Sequence, residues 1–174
     1  MDGITMQPAH ANTATHKRLV LCVLSMAVLV AQIDTAVVNL AVRPIGQFFH
    51  AEVGPLQWVI DAYNLAYAAL LLSGGLLADL YGRRRAFVSG AAVFSVASVL
   101  CALAPSIGWL IGARAMAGVG ASLLLPASLA ILRVVWRDPG ERAHALGVWA
   151  ACNGLAMAIG PTAGGVLVTH FGWR

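Results

Sequence analysis

Three ionisable side chains stand inside apolar runs of this chain: Asp34, Asp61 and Arg114. Placing such a group within a bilayer costs roughly 2.5 to 3.5 kcal/mol on insertion scales, so each is a functional candidate by default. Counted at about 1.5 Å per residue from the ends of their runs, Asp34 lies about 13 Å, Asp61 about 8 Å and Arg114 about 10 Å from the same face. A carboxylate beside an arginine at one depth can exchange a proton for a bound cation or a rearranged salt bridge, the minimum chemistry of a proton-coupled carrier. Gln32, Thr35 and Asn39 make the helix around Asp34 polar over a broad face, which favours a working role for that acid. Asp61, beside Trp58 and Tyr63, fits an interfacial or capping role as well as a functional one. For Arg114 the competing reading is a purely structural ion pair.

A second cluster joins two apolar runs: Gly74-Gly75-Leu76-Leu77-Ala78-Asp79-Leu80-Tyr81-Gly82-Arg83-Arg84-Arg85. Helix C-termini carry partial negative charge, so Asp79 in a last turn calls for a positive partner, and Arg83 to Arg85 are at hand. Two stripes of small residues complete the set. Arg114, Gly118 and Ala121 share one helical face, which permits either close packing or a cavity. Ala156, Gly160 and Gly164 form a small-xxx-small ridge, a device for bringing membrane helices into backbone contact, and Pro161 within it removes a helical hydrogen bond.

The elements that must position these residues are membrane helices. The chain of 174 residues is 60% hydrophobic and 10% charged, and its mean hydropathy is +0.81. Its apolar runs are apolar on every face, which excludes a barrel strand and fixes an all-α membrane protein. Five spans are expected, about 19–42, 56–78, 86–104, 107–132 and 144–168, each near the ~20 residues needed to cross the hydrocarbon. Residues 1–18 read as a polar, irregular cytoplasmic tail, and residues 19–174 as a partial transporter bundle. Outer loops are expected at Arg43 to Pro55 and at Pro105-Ser106, with inner loops at the arginine turn and at Arg133 to Ala143. Loops this short predict sequential helices that lie antiparallel and adjacent.

The net charge of +4 does not point to nucleic acid. Lys17, Arg18, Arg83 to Arg85, Arg133, Arg137 and Arg142 all fall on one side of these spans, so the positive-inside bias places the N-terminus in the cytoplasm of a cell-membrane protein. Cys22, Cys101 and Cys152 lie within spans and read as small apolar residues, without a disulfide or metal role. There is no P-loop, no HExxH metal motif and no nucleophile elbow, so no cofactor and no enzyme are indicated, and any energy comes from an ion gradient.

Four segments together resemble the major facilitator superfamily, most closely its 14-span drug:proton antiporters. Gly75 to Asp79 with Gly82, Arg83, Arg84 and Arg85 is similar to the loop signature GxLaDrxGRrk, with Leu80 where a basic residue is common. Ile33-Asp34 through Asn39-Leu40-Ala41 resembles lDxTvvNvAlP, with Ala36 for its threonine and Arg43 for its proline. Leu110 through Arg114 and Gly118 to Ala121 resembles lxxxRxxqGxgaa, with Ala117 for the glutamine. Gly160-Pro161-Thr162-Ala163-Gly164-Gly165 resembles gxxxGPxxGG, with Ala156 for its leading glycine.

The resemblance implies two six-helix bundles rocking about a central site, in which Asp34, Asn39, Asp61 and Arg114 serve proton coupling or substrate binding. It implies that Asp79 docks against a helix of the other half, so that its main partner lies outside this chain. The expected function is proton-coupled efflux of amphiphilic, drug-like molecules, with a lipid bilayer, protons, a small-molecule substrate and a missing C-terminal half as partners. The alternatives are uptake of a polar metabolite on the same fold and a truncated, non-transporting membrane fragment. An odd number of spans ending at Phe171-Gly172-Trp173-Arg174, which resembles the start of a following loop, is the reason to expect truncation.

Overall fold

The structure, a computed structural model, describes residues 9–173 as helices α1 (Ala9–Phe49), α2 (Val53–Tyr81), α3 (Arg83–Ala102), α4 (Ile107–Val135) and α5 (Pro139–Phe171). No strand occurs among the described residues, and all five helices are long and apolar enough to cross a membrane. Residues 1–8 of the polar tail and Arg174 lie outside the described residues.

The helices overrun the hydropathy spans. Residues 9–18, expected as irregular tail, are helical, and α1 passes through Arg43 and Pro44 to Phe49, where an outer loop was expected. Hydropathy marks where lipid begins and ends; the backbone keeps its hydrogen bonds by staying helical beyond that limit. His50 ends α1 in the left-handed region (φ 49), and the Ala51 N–H donates back to the Gly46 carbonyl at 3.1 Å, which closes the turn. At the other end of the molecule α5 begins at Pro139 rather than near His144. The Asp138 carboxylate accepts from the Glu141 N–H at 2.9 Å, and Pro139 occupies the first turn, where its missing N–H costs nothing.

Consecutive helices touch, as expected, but apart from α3 with α4 the closest pairs are not consecutive. Helix α4 is the axis, clasped by α2 on one side and α3 on the other, while α1 pairs chiefly with α5. Small residues decide this. A Cβ on Gly118 would overlap the Tyr63 carbonyl, and one on Gly74 the Ser122 carbonyl, so α2 and α4 meet backbone to backbone. Gly90 and Gly120 bring α3 equally close to α4 on the opposite flank. Gly160 and Gly164 of α5 rest on Ala36, Val37 and Leu40 of α1, with Ala156 buried alongside, so that ridge serves packing.

Candidate functional site at the Asp34 and Arg114 pair

Arg114 is the largest fully buried side chain among the described residues, 2% exposed. Gly118, one turn further along α4, lets α2 approach closely enough to bring Tyr63 over it, and the guanidinium carbon lies 4.5 Å from that ring's centre. Its Nη1 donates to an Asp34 oxygen at 2.5 Å, across from α1. The Asp34 side chain is 23% exposed, so the acid has an open side that the arginine lacks. Tyr63 in turn stacks on Tyr67 at 6.3 Å with the rings nearly parallel, as their spacing of one helical turn on α2 allows. A charge-assisted hydrogen bond and a cation–π contact thus hold one cation in a low-dielectric layer. The Arg114 Nε remains without a hydrogen-bond partner.

One small cavity is lined by the pair, and a second lies beside Tyr63. One, about 210 Å³, is lined by Asp34, Arg114, Ser98, Cys101 and Trp173 among apolar neighbours. The other, about 190 Å³, is lined by Gln32, Thr35, Tyr63, Asn64 and Tyr67.

The remaining candidates distribute as follows. Asp61 lies on the exposed side of α2 and makes no ion pair with any described residue, so it shares the pair's depth without facing it. Depth follows from helical rise, but the direction a side chain faces follows from which side of α2 meets α4. Asn39 is exposed and lines a separate open groove of about 840 Å³ with Arg43, Gln47 and His50. Asp79 finds a partner within this chain, since the Arg83 Nη2 donates to it at 3.4 Å. Both side chains are largely exposed, and the Arg83 Nη1 also reaches the Ala130 carbonyl of α4 at 3.5 Å. Gly82 turns the chain between them at φ 97, a conformation that favours glycine. Gly75, Asp79 and Arg83 border a cavity of about 300 Å³ with Arg133; Arg84 is exposed. Pro161 is exposed on α5, and Gly165 faces open space.

Sequence reasoning did not single out Tyr67 or Ser98, gave Cys101 no role, and read Trp173 only as the start of a following loop. The one-turn spacing of Tyr63 and Tyr67, directly opposite the Gly118 face, was the available signal for the tyrosines. Among the described residues no group of His, Cys, Asp and Glu is arranged to hold a metal ion.

A set of apolar helices that buries one arginine against one aspartate defines a multi-pass membrane protein with an intramembrane ion pair. Residues 24–174 match the family model of the Major Facilitator Superfamily, and the chain belongs to that family. It is 39% identical over 166 residues to the multidrug efflux pump LfrA of Mycolicibacterium smegmatis, covering 95% of this chain and 33% of that pump. It is 43% identical over 154 residues to the puromycin resistance protein pur8 of Streptomyces alboniger, covering 88% and 31%. Among solved structures, a bacterial homologue of the human lysosomal transporter Spinster, in an inward-facing and occupied conformation, superposes with a TM-score of 0.70. The two are 26% identical, with 90% of this chain and 32% of that one covered. The chain spans about a third of the length of the curated relatives it matches.

Proposed function

We propose that this chain forms most of the first helix bundle of a proton-coupled exporter of amphiphilic, drug-like molecules, with its N-terminus and basic turns on the cytoplasmic side of the cell membrane. The relatives named as multidrug efflux and puromycin resistance proteins support the substrate class. The concentration of arginines at the Arg83 and Arg133 end supports the orientation. The observation that carries the chemistry is the buried Arg114, whose ion-pair partner among the described residues is the partly open carboxylate of Asp34.

In this reading a proton arriving on Asp34 neutralises it and weakens its hold on Arg114, and loss of the proton restores the pair. The two arrangements differ in which neighbour satisfies a buried cation, which is the bistable element that a gradient can bias. Each elementary charge moved inward supplies about 2.3 kcal/mol per 100 mV. Gly75, Asp79, Gly82, Arg83 and Arg84 act at the cytoplasmic gate, where the second half of the transporter closes on them. Gly160 and Gly164 keep α5 against α1, beside the coupling acid, while Pro161 and Gly165 of the same motif face away from that contact.

The test is substrate-driven proton movement in inverted vesicles containing the transporter that carries this chain. Adding a cationic aromatic substrate such as ethidium should release protons from the lumen in wild type, and Asp34→Asn should abolish that release. Proton-coupled transport of normal rate in Asp34→Asn would sink the assignment, and release of a preloaded sugar from the lumen in place of ethidium entry would favour uptake.

A further inference from the structure

The cavity on the outer side of the ion pair is roomy and polar enough to hold water. At about 30 Å³ for each water in the liquid, its volume of about 210 Å³ accommodates several molecules. It also offers partners: Arg114, whose buried Nε lacks one, the Asp34 carboxylate, the Cys101 thiol and the Ser98 hydroxyl. Ser98 spends its proton on the Phe94 carbonyl at 3.0 Å, so its oxygen is left to accept.

One aromatic side chain lines this cavity from the far end of α5. Helix α5 stops at Gly172, whose φ of 79 breaks the helical path, and its N–H donates to the Val168 carbonyl at 3.1 Å. The residue after this glycine is a tryptophan. Trp173 lies against Phe48 and Phe49 of α1, each ring centre 5.4 Å from its own, and joins the cluster of Ala41, Ile45, Val59, Ala104 and Leu110.

We propose that this cavity is a hydrated chamber through which Asp34 communicates with the outer aqueous phase, and that Trp173 is its lid. The lid gives the gradient a controlled opening: water and protons reach the carboxylate when the indole swings off the phenylalanine pair. The assignment rests on the reading of Asp34 as the coupling acid, but its test does not depend on transport.

Cys101 lines the chamber and serves as the reporter. In a Cys22→Ala, Cys152→Ala background, right-side-out vesicles carrying this chain are treated with a membrane-impermeant, cationic methanethiosulfonate, and Cys101 modification is followed by mass spectrometry. Trp173 has two ring contacts to lose, so Trp173→Ala should raise the labelling rate by about tenfold or more. Trp173→Phe should keep most of the protection, and Trp109→Ala, an exposed tryptophan on α4 at the same end, should leave the rate unchanged. Equal labelling of Trp173→Ala and wild type overturns the lid. So does labelling of Trp173→Ala at the denatured-chain rate with loss of helical circular dichroism, because Trp173 is then a fold determinant. Transport assays of Asp34→Asn report on coupling alone, so failure of the lid and failure of the coupling acid are distinguishable.

Discussion

Removing Asp34 should destabilise the bundle far more when Arg114 is present than when it is absent. The Arg114 side chain is 2% exposed and its Nη1 is held by Asp34 at 2.5 Å. Deleting one partner of a buried pair typically costs about 3–5 kcal/mol, because the other charge is left uncompensated. Two features lower that figure here. Asp34 is 23% exposed, and the Tyr63 ring stays beneath the guanidinium, a contact worth about 0.5–2 kcal/mol. An Asp34→Ala cost of about 2–3 kcal/mol is therefore expected, roughly a 30- to 150-fold shift in the unfolding equilibrium.

Arg114→Met alone should cost a similar amount, by leaving the carboxylate in an apolar layer. The double variant carries neither charge, so its cost should fall below the sum of the singles by about 2 kcal/mol. The measurement is reversible unfolding of the chain in mixed micelles, with sodium dodecyl sulfate as denaturant and helical circular dichroism as the signal. Single-variant costs that add to within about 0.5 kcal/mol would show that the two side chains are energetically independent, and the account of the pair would be wrong.

Two further outcomes follow from the helix contacts. Gly118→Val should lower the melting temperature, with a loss of about 1–3 kcal/mol, since a side chain there meets the Tyr63 carbonyl. Gly112→Ala, with open space around its Cβ position, should be neutral or stabilising by up to about 1 kcal/mol. Asp79→Asn should change the stability of this chain by no more than about 0.5 kcal/mol, because its only ion pair is an exposed one-turn contact. The same substitution should impair transport in a complete carrier, and unimpaired transport would refute the gate role.

The helical class and the number of helices were legible because apolar length is a local property. The shared depth of Asp34 and Arg114 was legible for the same reason, since helical rise converts sequence separation into distance. The horizontal arrangement was not. Asp61 has the right depth but faces away, and nothing within α2 alone announces which of its sides meets α4. Helix ends were partly readable: Asp138-Pro139-Gly140-Glu141 is a capping sequence, yet hydropathy places the start of α5 at His144. Arg43-Pro44 reads as a loop, but α1 continues through it and presents Arg43 to solvent. Trp173 was hidden most completely, because its place beside Phe48 and Phe49 is fixed by a glycine turn and a helix far away in sequence.

The pairing of α1 with α5 and of Asp34 with Arg114 also dictates an order of events during synthesis. The two members of the ion pair are separated by 80 residues. At about 5–20 residues per second, the ribosome takes roughly 4–16 s to make the arginine after the aspartate. Throughout that interval the first helix holds a carboxylate with no cation to meet it, and its glycine-ridged neighbour is the last helix of this chain to emerge. The nascent α1 must therefore linger in a watery part of the insertion channel or enter lipid with Asp34 protonated. The clasp of α5 on α1 forms only after α2, α3 and α4 have been made.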